Sequence, residues 1–214
     1  MPALYAGLLA LFVYLWLKKS QKTQDTTRNL SGDGWTVTRT GDTIVSIPQA
    51  LTGETAVVIG GMYQSNEEWM FDQIPEQIKR ERCIILGPWT QSVNTTMSEG
   101  IAVLNRNHRD PKFTSLSGFS AGGYRVSEYY STNQKLFETV FLIDPALEME
   151  TIMQREWGAE VVLAYGSDPM ENLYSQEYAY LSERIAGKGG VVENIEMYHY
   201  AYPSYLFQTY QFML

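Results

Sequence analysis

The chain has 214 residues, 44% of them apolar, and carries a formal net charge of −8. That length gives room for one α/β domain with a real core and too little for two domains of ordinary size. The acidic balance argues against a nucleic-acid partner, because phosphate binding needs a basic surface that releases counterions.

The chain opens on Ala3 to Leu17, an uncharged and almost wholly apolar run that ends in Trp16-Leu17 and is followed at once by Lys18-Lys19. This predicts a membrane anchor. Pro2 to Leu17 makes about 24 Å of helix, so a full span needs mild bilayer thinning or lysine snorkelling. A cleaved signal peptide would want basic residues before the run and a small-residue cleavage site after it, and neither is present. Lys18, Lys19, Lys22 and Arg28 all follow the run, which by the positive-inside bias puts the rest of the chain on the cytoplasmic side. Two glycosylation matches, at Asn29 and Asn94, carry no weight on that side. Ser20 to Gly34 is polar, without periodicity, and reads as a tether. The expected organisation is an anchor over 1–19, a tether over 20–34 and one folded domain over 35–214.

Within the domain, Trp35 to Arg39 and Thr43 to Ile47 predict a hairpin turned at Gly41-Asp42. Ala56 to Ile59 is a buried strand running into Gly60-Gly61-Met62. A helix is expected over Glu67 to Lys79, a strand over Arg82 to Leu86 and a helix over Met97 to Asn107. Cys83, in the run Cys83-Ile84-Ile85-Leu86, reads as a small core residue. As the chain's single cysteine beside two histidines, it allows neither an intrachain disulfide nor a cysteine–histidine zinc site, and no metal is expected. After a short strand at Phe113 to Leu116 come Gly118-Phe119-Ser120-Ala121-Gly122-Gly123 and a helix through Tyr130. Strands follow at Thr139 to Ile143 and Val161 to Tyr165, then a helix at Ser175 to Ala186, a strand at Val191 to Met197 and a last helix from Pro203. Strands and helices alternating at these lengths imply a doubly wound, mostly parallel sheet covered on both faces.

The segment around Ser120 carries the chemistry. A strand turning abruptly into a helix strains the residue at the corner, and Gly118 and Gly122 keep side chains from colliding around it. The result is a hydroxyl lifted clear of a parallel sheet, the arrangement a nucleophilic serine needs. No phosphate-binding glycine loop accompanies it, since Gly118 to Gly123 lacks both the lysine of one such motif and the early-strand position of the other, and no cofactor is expected.

From the hairpin onward, this order of segments and the Gly118 to Gly122 turn resemble the α/β-hydrolase family over nearly the whole domain. The resemblance implies a Ser-His-Asp triad in the chain order nucleophile, acid, histidine, each in a loop at the carboxyl end of a strand. That order selects His199, which follows the last predicted strand. His108 precedes the serine and reads as a solvated helix end or cap. Two aspartates end predicted strands: Asp168, where most members of the family carry the acid, and Asp144, one strand earlier, as in pancreatic-type lipases. Asp168 is favoured and Asp144 is the alternative. The oxyanion hole implied by the resemblance uses the N–H of Ala121 and that of Met62, although Gly60 stands where the family's loop usually has histidine. Plain tight-turn glycines are the other reading of Gly60-Gly61.

The implied activity is hydrolysis of acyl esters or lipids through an acyl-enzyme. The segment between the two candidate acid strands is too short for a cap domain, so an open site like that of cutinase-like minimal hydrolases is expected. A second expectation is a catalytically inactive hydrolase scaffold serving as a membrane-tethered binding or structural protein, suggested by the missing loop histidine.

Overall fold

A computed structural model describes residues 30–61, 67–166 and 169–195. The predicted anchor at 3–17, most of the tether and the last helix from Pro203 lie outside the described residues. Among the described residues no helix is long and apolar enough to cross a membrane. The compact unit that holds the sheet begins at Ser31, whose hydroxyl accepts the Val37 N–H at 2.9 Å.

The hairpin forms as expected, from β1 (Trp35–Thr40) and β2 (Thr43–Pro48), and Gly41 turns it with φ of 57°. The remaining strands are β3 (Glu54–Ile59), β4 (Cys83–Gly87), β5 (Lys112–Phe119), β6 (Thr139–Ile143), β7 (Val161–Gly166) and β8 (Val191–Ile195). Together the described residues make one eight-stranded sheet in the order β1-β2-β4-β3-β5-β6-β7-β8. β2 joins β4 antiparallel, and every pairing from β4 through β8 is parallel. Strands such as Ala56-Val57-Val58-Ile59 and Cys83 to Leu86 are buried along their length, as strands covered on both faces must be.

Helices α1 (Glu67–Gln73) and α2 (Glu76–Glu81) pack on the β2 and β4 part of the sheet. The sequence predicted one helix here. Pro75 divides it, because proline has no N–H to give the turn before it and its ring disfavours helical backbone at Ile74; Pro75 sits at φ −54°, ψ 138° in front of α2. Helix α3 (Val93–Arg106) starts four residues before the expected Met97. Ser92 caps it, its side chain accepting the Thr95 N–H at 3.1 Å, and Val93, Met97, Gly100, Val103 and Leu104 make the buried stripe. Helices α4 (Ala121–Tyr130) and α6 (Pro169–Ala186) flank a short α5 (Met149–Gln154), which was not expected from the sequence.

The main core joins Val57, Ile59, Ile85, Leu116, Leu142 and Leu163 of the sheet to Met97 and Leu104 of α3, Val126 of α4 and Leu181 and Ile185 of α6. Cys83 belongs to it, fully buried, and burial pushes its thiol pKa up. An inert core thiol is the consequence. Strand alternation leaves Ala56, Val58, Ile84 and Leu86 for the opposite face.

Candidate active site

β5 ends at Phe119 and α4 begins at Ala121, so a single residue, Ser120, turns the chain from strand to helix. It does so at φ 50°, ψ −119°, a conformation that side-chain-bearing residues rarely adopt and that costs roughly 1–3 kcal/mol. Three backbone hydrogen bonds hold it there. The Ser120 N–H donates to the Ile143 carbonyl at 3.1 Å, and the Ser120 carbonyl accepts from the N–H groups of Gly123 at 2.9 Å and Ala146 at 3.0 Å. The residues before and after it are buried, whereas Ser120 itself is half-buried.

The close packing explains the glycines. A Cβ at Gly118 would lie 2.4 Å from the Gly122 carbonyl oxygen, and one at Gly122 would lie 2.3 Å from that of Ile59 and 2.5 Å from that of Gly60. Gly123, which has no role in the expected turn, is constrained in the same way, since its Cβ would lie 2.6 Å from Cβ of Pro145. Four backbone segments therefore meet at one corner: the ends of β3, β5 and β6 and the first turn of α4.

That corner has the makings of an anion site. The Ala121 N–H opens the first turn of α4, where backbone donors have no acceptor within the helix. The Gly60-Gly61 loop runs against the same corner, with a Cβ at Gly61 coming 2.7 Å from the Phe119 ring, and the Gly60 N–H is anchored on the Gly87 carbonyl at 3.0 Å. Met62, Asp168 and His199 lie outside the described residues. They follow β3, β7 and β8 in the chain, and these strands run parallel to β5 or to its parallel neighbours, so their carboxyl ends share the sheet edge on which Ser120 sits.

Asp144 is described fully. It directly follows β6 with a left-handed backbone, φ 42°, and is 4% exposed. Its N–H donates to the Ala164 carbonyl at 2.7 Å, and its Oδ1 accepts the Tyr178 hydroxyl at 2.7 Å. Tyr178 comes from α6, with its ring 5.3 Å from that of Tyr165. In sequence it stands three and seven residues before the core residues Leu181 and Ile185, so it reads only as part of a buried helix stripe. The direction of its hydroxyl is visible in the fold alone.

His108 is far from this corner in the chain path. It follows α3 and precedes β5, at the amino end of that strand. Its φ is 56°, its N–H donates to the Asn105 carbonyl at 3.0 Å, and the Arg109 N–H donates to that of Leu104 at 3.0 Å. This is the hydrogen-bond pair of a Schellman cap, so the cap expected for His108 is present.

Comparison with solved structures identifies the architecture. The chain is similar to S-formylglutathione hydrolase from Staphylococcus aureus, with a TM-score of 0.58 at 16% identity over 80% of this chain and 88% of that one. It is similar to Est1E from Butyrivibrio proteoclasticus, with a TM-score of 0.53 at 10% identity over 84% and 98%. It is also similar to a hormone-sensitive lipase from a metagenome library, with a TM-score of 0.53 at 13% identity over 85% and 86%. The fold is that of the α/β-hydrolases. At these identities the likeness extends to the fold, and no family model and no curated protein matches the chain. Within the α/β-hydrolase fold, Ser120 holds the strand-to-helix corner after β5, and both candidate acids follow later strands of the same parallel run.

Proposed function

We propose that this chain is a serine hydrolase that cleaves acyl esters, with Ser120 as its nucleophile. The observation that carries the reading is the strained corner at Ser120, φ 50°, which three backbone hydrogen bonds and three close-packed glycines maintain. Strain of this kind persists only where the surroundings over-determine it, and it serves to present a side chain. The structural neighbours named as a hydrolase and a lipase support the same chemistry.

In the proposed reaction His199 takes the proton of Ser120 as its oxygen attacks the ester carbonyl. The oxyanion that develops is met by the N–H groups of Ala121 and Met62. His199 then passes the proton to the leaving alcohol, and water, deprotonated by the same histidine, releases the acyl group from Ser120. Asp168 orients the imidazole and stabilises its charged form, with Asp144 as the alternative acid.

Only α5, six residues long, stands between β6 and β7, which favours an open cleft without a cap and thus a substrate whose ester is reached from solvent or from a surface. The apolar run at 3–17 would hold the domain at a membrane, on the cytoplasmic side, where acyl esters and lipids are concentrated. The test is labelling with a fluorophosphonate, which reacts only with an activated serine. An adduct on Ser120 in the native chain is expected, and a protein that stays unlabelled under conditions that label a known serine esterase would contradict the reading.

A further inference from the structure

We infer that Tyr178 is a positioning residue of the hydrolytic site, acting on Ser120 through Asp144 and the loop that follows β6; the inference rests on the serine-hydrolase reading above. The chain of contacts begins at the nucleophile. Of the three hydrogen bonds that hold the Ser120 backbone in its disfavoured conformation, two are made by the last residue of β6 and by this loop, the Ile143 carbonyl and the Ala146 N–H. The same loop supplies Pro145, whose Cβ closes on the first turn of α4 at Gly123. Ser120 is therefore only as well placed as the segment Ile143 to Ala146.

That segment is itself strained, because Asp144 takes φ 42°. Aspartate tolerates the left-handed region better than most residues, yet a buried one needs its carboxylate satisfied. Tyr178 meets that need. Its hydroxyl lies 2.7 Å from Asp144 Oδ1 and 3.3 Å from the Pro145 carbonyl oxygen, so one hydroxyl reaches both residues at the bend. With a single proton to give, it donates chiefly to the carboxylate, the shorter and charge-assisted contact. Tyr178 is 4% exposed and stands on α6 among the core residues Leu181 and Ile185, so its hydroxyl is held by a helix that the core itself fixes. Two strained corners in series, Asp144 and Ser120, are thereby referred to one rigid point. A phenylalanine ring would fill the same volume without the hydroxyl.

The test is a double-mutant cycle on the full chain. Tyr178→Phe removes the hydroxyl and keeps the ring, and Asp144→Ala removes the acceptor; kcat, KM, the rate of fluorophosphonate labelling and the melting temperature are read for each and for the pair. Tyr178→Phe is expected to lower kcat and the labelling rate by roughly ten- to a hundredfold, the scale of a small misplacement of a reacting group, with KM nearly unchanged. The double variant should lose no more than Asp144→Ala alone, because both changes cut the same link. Asp144→Asn still offers Tyr178 an acceptor and tolerates φ above zero, so it should lose less than Asp144→Ala, and that difference is the conservative rescue. A Tyr178→Phe protein with wild-type kcat and labelling rate, whatever its melting temperature, overturns the inference and leaves the hydrolase reading standing. An Asp144→Asn loss as deep as that of Ser120→Ala would make Asp144 the triad acid and overturn the buttress role. Failure of the wild-type protein to label would remove the reading on which the inference rests.

Discussion

Ser120 keeps an unfavourable backbone because its neighbours cannot relax without breaking one another's contacts, and this is what separates it from a serine that merely caps a helix. If it is the nucleophile, Ser120→Ala and His199→Ala should each lower hydrolysis of short-chain aryl esters by about three to four orders of magnitude or more, and by similar amounts, since triad members act as a unit. Circular dichroism should show the fold intact in both, and initial rates with p-nitrophenyl esters check the activity. The acid is assigned by comparing Asp168→Asn with Asp144→Asn. Only the true partner fixes the histidine tautomer, so the first should cost far more of kcat than the second, and a reversed ranking would move the acid one strand earlier. At this scale the sequence disclosed the corner well, because Gly118, Ser120 and Gly122 have no other economical reading at the end of a strand. It did not disclose Gly123 or Tyr178, whose importance depends on Pro145 and Asp144 arriving from a different strand.

Elements report how local chemistry sets boundaries. The strands were legible because each is a run of β-branched and apolar residues, and β6 spans the Thr139 to Ile143 segment read from sequence. The helices were less so. Asn94-Thr95-Thr96 are poor helix formers, yet α3 starts before them because Ser92 satisfies a free N–H and Val93 and Met97 are buried in the core. Pro75, overlooked in favour of apolar spacing, splits α1 from α2. Two substitutions measure these ends. Ser92→Ala should destabilise the domain by about 0.5–2 kcal/mol through loss of the cap. His108→Gly should stabilise it by about 0.5–1 kcal/mol, because a glycine at that left-handed position carries no Cβ penalty. Urea denaturation of both, alongside unchanged esterase rates, checks the pair, and an activity loss in His108→Gly would reopen that histidine as a functional residue.

On the scale of the whole molecule, the proposed design is a catalytic domain held by its own core and separated by a polar tether from an anchor held by bilayer burial. Deleting Met1 to Lys19 should then give a soluble, folded protein that keeps its activity toward water-soluble esters and loses part of it toward esters embedded in bilayers, as local concentration falls. Carbonate extraction of the full chain checks the anchor; release from the membrane would refute it. The succession of strands and helices and the corner after β5 were legible as a whole because periodicity and turn chemistry agree along the chain, whereas the acid was not, because an Asp-Pro pair follows two of the strands. The measurement that bears most directly on the central claim is mass-spectrometric mapping of a fluorophosphonate adduct on the native protein. The account predicts one adduct, on Ser120, lost in Ser120→Ala and greatly slowed in His199→Ala; an unmodified Ser120, or equal labelling at other serines that unfolding does not abolish, would contradict it.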